Sequence, residues 1–237
     1  MQNFFFIFLL CLPFHGFSQG LKINVLPIFG NEIIREEKWF ISSNGDSMQF
    51  ENVRFYLSNI QFILQNGQVV KDNQKAHLVD VFEPNSLTFL IENIGDKAIK
   101  QMQFNIGIDS TTSVSGALSG DLDPSKGMYW AWQSGYINMK IEGRSPVCKT
   151  RKNVFQFHIG GYMQPFYAMR QVELLLGEHH TPNTSGQVEG FTLKINLSDF
   201  FKNIHLATQN SLMIPSKEAM QLADWSINMF SIDAPKK

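Results

Sequence analysis

Trp130, Trp132 and His158 are the residues of this chain whose types and spacing lend themselves to chemistry. The chain has four tryptophans. Two of them stand two residues apart in Gly127-Met128-Tyr129-Trp130-Ala131-Trp132-Gln133-Ser134-Gly135-Tyr136. On an extended strand such residues share a face, so the spacing predicts a paired indole surface. Intact indole is a poor metal ligand, because its nitrogen lone pair belongs to the aromatic system, and its ordinary role is packing. Oxidative opening to kynurenine changes this, since the product carries an aryl amine and a ketone. An indole near the surface would lose electrons to a docked oxidant, and its product would join His158 around copper. His158 closes Phe155-Gln156-Phe157-His158, where alternation sends the two phenylalanines to the core and Gln156 and His158 to the other face. Gly160-Gly161 follows and lets the backbone approach a neighbour closely. Imidazole suits copper, and the thioethers of Met128, Met139 and Met163, close by in sequence, favour Cu(I).

Other candidates read as ordinary structure. His179-His180 lies in a polar loop, and His77 and His205 fit structural roles. Asp121-Leu122-Asp123-Pro124-Ser125-Lys126-Gly127 sets oxygen donors at alternate positions, as Ca²⁺ requires. It departs from an EF-hand loop in the place of its glycine, its proline and the lack of a following bidentate Glu, so a capped turn presenting the Trp segment is its alternative. The sequence contains no Gly-x-Ser-x-Gly, no His-Glu-x-x-His and no phosphate loop, and a non-enzymatic protein is expected. A binding module using the Trp pair as an aromatic contact platform is the other reading, and a small carboxylate hydrolase trails both.

The elements that must position these residues are mostly strands. Alternating or β-rich runs cover 21–28, 51–64, 77–81, 86–91, 102–108, 130–142, 154–159, 172–176 and 191–197. Asn66-Gly67 marks a hairpin. Residues 109–127 form a polar connection. Ser198-Asp199 is expected to cap a short turn, and helical spacing covers 217–230 behind Pro215-Ser216. The expected fold is all-β: an antiparallel β-sandwich or barrel-like sandwich with one or two short helices near the C-terminus.

Residues 1–18 read as a secretory signal peptide, with an apolar run too short to span a bilayer and small residues before a cut after Ser18. A single domain over 19–232 and a tail over 233–237 follow. The expected location is secreted or periplasmic, with no stable membrane span once the signal is removed. The chain has two cysteines, and Cys148 alone survives the cut, so no internal disulfide forms. A buried hydrophobe is its simplest role, with a reactive thiol or soft-metal ligand as the alternative. The formal net charge of −1 and the absence of a basic stripe exclude nucleic acid and anionic membrane as evident partners.

Five segments in order carry a resemblance: Arg54-Phe55-Tyr56-Leu57-Ser58-Asn59-Ile60, Phe104-Asn105-Ile106-Gly107-Ile108-Asp109, the run from Leu122 to Tyr136, Lys140-Ile141-Glu142-Gly143, and Phe157-His158-Ile159-Gly160-Gly161. Together they resemble the MbnP-like family over roughly residues 20–232, the Met-Tyr-Trp-Ala-Trp run being the specific part. The resemblance implies an exported β-rich copper-binding protein. It implies a di-haem partner of the cytochrome c peroxidase class that oxidises a Trp to kynurenine, on which copper binding depends. By position the Trp-x-Trp motif falls on Trp130 and Trp132, and the Phe-His motif on His158. Related copper-binding surface proteins of methanotrophic bacteria carry a His two residues after the modified Trp, where this chain has Trp132. The resemblance therefore leaves open which Trp is modified and which second His takes part.

Overall fold

A computed structural model describes residues 20–94, 98–133, 135–176 and 190–233. In chain order the strands and helices are β1 (Leu21–Phe29), β2 (Glu32–Ile33), β3 (Trp39–Ile41), β4 (Ser47–Leu64), β5 (Val69–Lys71), β6 (Ala76–Asp80), β7 (Thr88–Ile91), β8 (Ile99–Ile106), α1 (Ser110–Val114), β9 (Tyr129–Trp130), β10 (Gly135–Arg144), β11 (Val154–Gly160), β12 (Arg170–Leu175), β13 (Gly190–Asn196), α2 (Leu197–Phe201), β14 (Ser211–Leu212), α3 (Lys217–Ser226) and β15 (Phe230–Asp233).

The strands form two sheets, as the alternating sequence requires. The smaller runs β15-β13-β1-β2, with β7 also on β1; the larger runs β12-β8-β4-β10-β11-β14, with β3, β5 and β6 on β4 and β9 on β10. Pairing is antiparallel except between β1 and β13 and between β11 and β14. The all-β sandwich expected from the sequence is thus the fold, with mixed rather than purely antiparallel sheets. Among the described residues, two of the three α-helices belong to the C-terminal part, and α1 is an addition inside the polar connection.

Each sheet turns one face inward because its apolar residues recur at every second position. Ile23 and Val25 of β1, Phe55 and Leu57 of β4, Ile141 of β10, and Phe155 and Phe157 of β11 meet in one core. Phe200 and Phe201 of α2 join it, and rings linking Phe29, Phe40, Phe50, Phe155 and Phe201 lie between 5.3 and 6.4 Å apart. α2 is capped by Asn196, whose side chain accepts from the Ser198 amide, rather than by Ser198-Asp199. α3 starts, as expected, on Ser216 but stops at Ser226, and Phe230–Asp233 adds a strand to β13.

A second, smaller core sits on the outer face of the larger sheet. Tyr56, Leu78, Ile108, Leu122, Met128, Trp130, Tyr136 and Ile137 form it. The connection between β8 and β10 folds back over that face and brings the Trp segment with it.

Candidate functional site

The outer face of the larger sheet carries a cross-strand row of polar side chains. Asp80 of β6 pairs with Arg54 of β4, Arg54 with Lys140 of β10, and Lys140 with His158 of β11. The next row holds Asn52, Glu142 and Gln156. His158 is therefore on the polar face that the Phe-Gln-Phe-His alternation predicts, with only 12% of its side chain exposed.

Its partner is Glu142, which sequence reading did not single out. His158 Nε2 lies 2.7 Å from Glu142 Oε1, and Asn52 Nδ2 donates to Glu142 Oε2 at 3.1 Å. The His158 hydrogen bond, aided by Lys140 and Asn52, holds the Glu142 carboxyl below the usual glutamate range against the opposing effect of burial. An ionised carboxylate only accepts, so Nε2 is the donor in this contact and Nδ1 is the ring nitrogen left without the carboxylate. Asn52 Oδ1 is buried and has no hydrogen-bond partner among the described residues.

Trp130 reaches this row through the backbone of Gly160. A Cβ on Gly160 would lie 2.6 Å from Trp130 Cζ3 and 3.0 Å from the Tyr136 carbonyl oxygen. Glycine at 160 is thus the seat of the indole. Gly160 and His158 are i, i+2 on one strand and share its outer face, so the indole packs on the same face of β11 that carries the imidazole.

The Trp pair does not lie on one extended strand, which corrects the sequence expectation. The chain reverses after Trp130: the Gln133 amide donates to the Trp130 carbonyl at 3.2 Å, and β9 pairs back on β10 with Trp130 opposite Gly135. The indoles still meet, with ring centroids 5.5 Å apart and planes tilted by 41°. Their environments differ sharply, Trp130 being 6% exposed and Trp132 64%. The Tyr162 ring lies against Gly135, where a Cβ would come within 2.5 Å of Cε1, and its hydroxyl donates to the Gln133 carbonyl at 3.4 Å.

The approach to this hairpin is fixed by the row of cations beneath it. Arg54 Nε donates to Asp80 at 2.7 Å and Nη1 to the Lys126 carbonyl at 3.0 Å; Lys140 Nζ donates to the Gly127 carbonyl at 3.4 Å. The oxygen-rich loop at 121–127 is built as a capped turn, with Asp123 as the cap. Asp121 Oδ1 takes the Lys126 ammonium at 2.7 Å, Asp121 Oδ2 the Leu78 amide at 3.1 Å, and Asp123 Oδ1 the Ser125 amide at 2.8 Å. The Asp121 and Asp123 carboxylates are engaged by Lys126 and by backbone amides, and nothing in the loop's geometry supports calcium.

The remaining candidates scatter. Met139 is buried in the main core, Met128 in the outer core, and Met163 is 55% exposed. Cys148 is buried, with its thiol pushed up to about 11, first by burial, and so behaves as an inert hydrophobe. His77 is buried against Asp72 and stacked on Phe89 with centroids 4.1 Å apart; it lines a cleft of ≈380 Å³ with Arg54, Asp80, Ser86 and Lys126. His205 is exposed. His179-His180 and the expected signal peptide lie outside the described residues. Among the described residues no group of three or more His, Cys, Asp or Glu side chains is placed to hold a metal ion, and no helix is long and apolar enough to cross a membrane.

Comparison with known proteins places the chain. A solved structure, MbnP from Methylosinus trichosporium, superposes with a TM-score of 0.63, covering 93% of this chain and 100% of that one at 13% sequence identity. No curated protein matches. The family model described as MbnP matches residues 18–215, a span that includes the outer-face row, the Trp hairpin and the strand carrying His158: the chain belongs to the MbnP family.

Proposed function

We propose that this is an exported, non-enzymatic copper-binding protein whose metal site is completed when Trp130 is oxidised to kynurenine by a di-haem protein of the cytochrome c peroxidase class. The observation that carries the reading is the seating of the Trp130 indole on Gly160, one strand step from His158. The residues present suit copper in part. His158 offers a borderline nitrogen donor whose other ring nitrogen is fixed by a carboxylate, the arrangement common around metal-bound imidazole. The Glu142 carboxylate, itself held by Asn52 Nδ2, is that partner on Nε2 and leaves Nδ1 for a metal. When bound, copper would draw on His158 together with the amine or ketone of a ring-opened indole.

Intact-mass and copper analysis of protein made beside its native neighbours tests this. The expected result is the mass of a kynurenine-bearing chain that retains copper through purification. An unmodified mass with no copper overturns it. His158→Ala is expected to weaken copper binding; unchanged affinity would remove His158 from the site.

The exposure of Trp132 and Met163 favours a second reading, in which the hairpin tip is an aromatic platform for a protein or glycan. Copper-independent capture of a partner, abolished by Trp132→Ala, would support it.

A further inference from the structure

The two indoles differ in one respect that the copper reading does not use: one is buried and the other faces solvent, and they touch. We propose that Trp132 is the port through which electrons leave Trp130, so that a one-electron oxidant at the surface acts on the buried ring without touching it. This rests on the reading that Trp130 is the residue converted.

The argument starts from access. Trp130 is 6% exposed and is covered by Gly160, Tyr136 and the outer core. An oxidant the size of a protein or a metal complex does not reach it directly. Trp132 is 64% exposed at the tip of the hairpin, and its ring centroid is 5.5 Å from that of Trp130. Rings at this distance are in van der Waals contact, and electron transfer between them needs no intervening group.

Balance of the step is simple. The oxidant takes one electron from Trp132 and is reduced by one. The Trp132 radical cation takes one electron from Trp130, which restores Trp132 and leaves the hole on Trp130. Trp130 releases its indole N–H proton to solvent and becomes a neutral radical, which dioxygen then traps.

The buried phenols of Tyr56 and Tyr136 do not divert the hole. Tyr129 and Tyr136 are 5.0 Å apart and Tyr136 and Tyr56 5.8 Å, so an aromatic path runs inward. Oxidising a phenol requires a base for its proton. Tyr56 donates to the Asp121 carbonyl at 3.1 Å and Tyr136 to the Leu122 carbonyl at 2.9 Å, and a backbone carbonyl is not a base. Burial, ahead of the nearby charges, raises both phenols further above their ordinary range. These two buried phenols therefore do not draw the hole inward from the indole pair.

The test uses the full chain, photoexcited tris(bipyridine)ruthenium with persulfate as the one-electron oxidant, and peptide mapping by mass spectrometry. Wild-type protein is expected to gain oxygen at both Trp132 and Trp130. Trp132→Phe, which keeps an exposed ring of similar shape, is expected to lower oxidation at Trp130 severalfold. Trp39, 48% exposed on β3, reports that the oxidant still reaches the surface equally. Oxidation of Trp130 that is unchanged or increased in the variant overturns the proposal. Circular dichroism of the variant confirms the fold, and Trp132→Tyr, still oxidisable at the surface, is expected to restore part of the loss. Native protein that carries copper with Trp130 intact would sink the reading above and leave this electron path standing.

Discussion

The His158–Glu142 contact is the most consequential pair of side chains on the outer face. A carboxylate whose folded pKa is depressed contributes stability that is present above the ordinary glutamate range and lost as pH falls through the folded value. Glu142, lowered chiefly by the His158 hydrogen bond, therefore helps the fold at neutral pH and stops helping once acid has taken it through its depressed folded value. Glu142→Gln is expected to cost about 1–3 kcal/mol at neutral pH and to flatten the acid limb of stability. Urea titrations from pH 3 to 7 check this, and an acid limb as steep as wild type would show that the pair is not coupled to folding. On the proposed copper reading, the same variant is expected to lower copper affinity about 10–100-fold, the usual cost of losing a histidine's outer partner. His158 itself was legible in the sequence, because Phe155 and Phe157 define which face it takes. Glu142 and Asn52 were not, since their closeness depends on how β10 registers against β4 and β11. Once that register is known, the alternation in Lys140-Ile141-Glu142 places both charges beside His158.

At the scale of elements, the β9–β10 hairpin is what turns a sequence motif into a site. The run from Trp130 to Glu142 reads as one strand, because its alternation continues through the reversal and no Asn-Gly or Asp-Gly marks it. The reversal is set instead by tertiary contacts: Tyr162 against Gly135 and Trp130 against Gly160. Gly160→Ala tests that seating. Its Cβ would collide with the indole and with the backbone of Tyr136, and overpacking of this kind costs about 1–3 kcal/mol. The expected result is a lower urea midpoint together with a red-shifted Trp emission, as Trp130 is lifted toward water. A variant with wild-type stability and emission would mean that the indole does not rest there. The C-terminal β15 escaped sequence reading for a related reason. Ile227 and Phe230 continue the helical spacing of α3, and only pairing with β13 draws the chain into a strand.

The whole molecule consists of two cores of unequal size back to back on one sheet. The sandwich was legible from strand periodicity, whereas the parallel pairing of β1 with β13 was not, because no local pattern links segments so distant in the chain. The division predicts unequal stability. The main core is locked by both sheets and by the α2 phenylalanines, so Phe50→Ala, at a site 1% exposed, is expected to lower global stability by about 3–5 kcal/mol. The outer core is closed by the connection between β8 and β10, held by few side chains and by bonds such as Ile137 N to the Met128 carbonyl at 2.9 Å. Such a layer opens locally without unfolding the rest. Leu122→Ala, at a site 5% exposed, is therefore expected to speed hydrogen exchange at Ile108, Tyr136 and Ile137 while leaving amides of β1 and β13 at wild-type rates. Phe50→Ala is expected to speed the slowest amides everywhere. Equal acceleration of both regions by Leu122→Ala would show a single cooperative unit. On the proposed copper reading, independent opening would give the Trp hairpin a way to admit a metal once the indole is converted, while the sandwich stays folded.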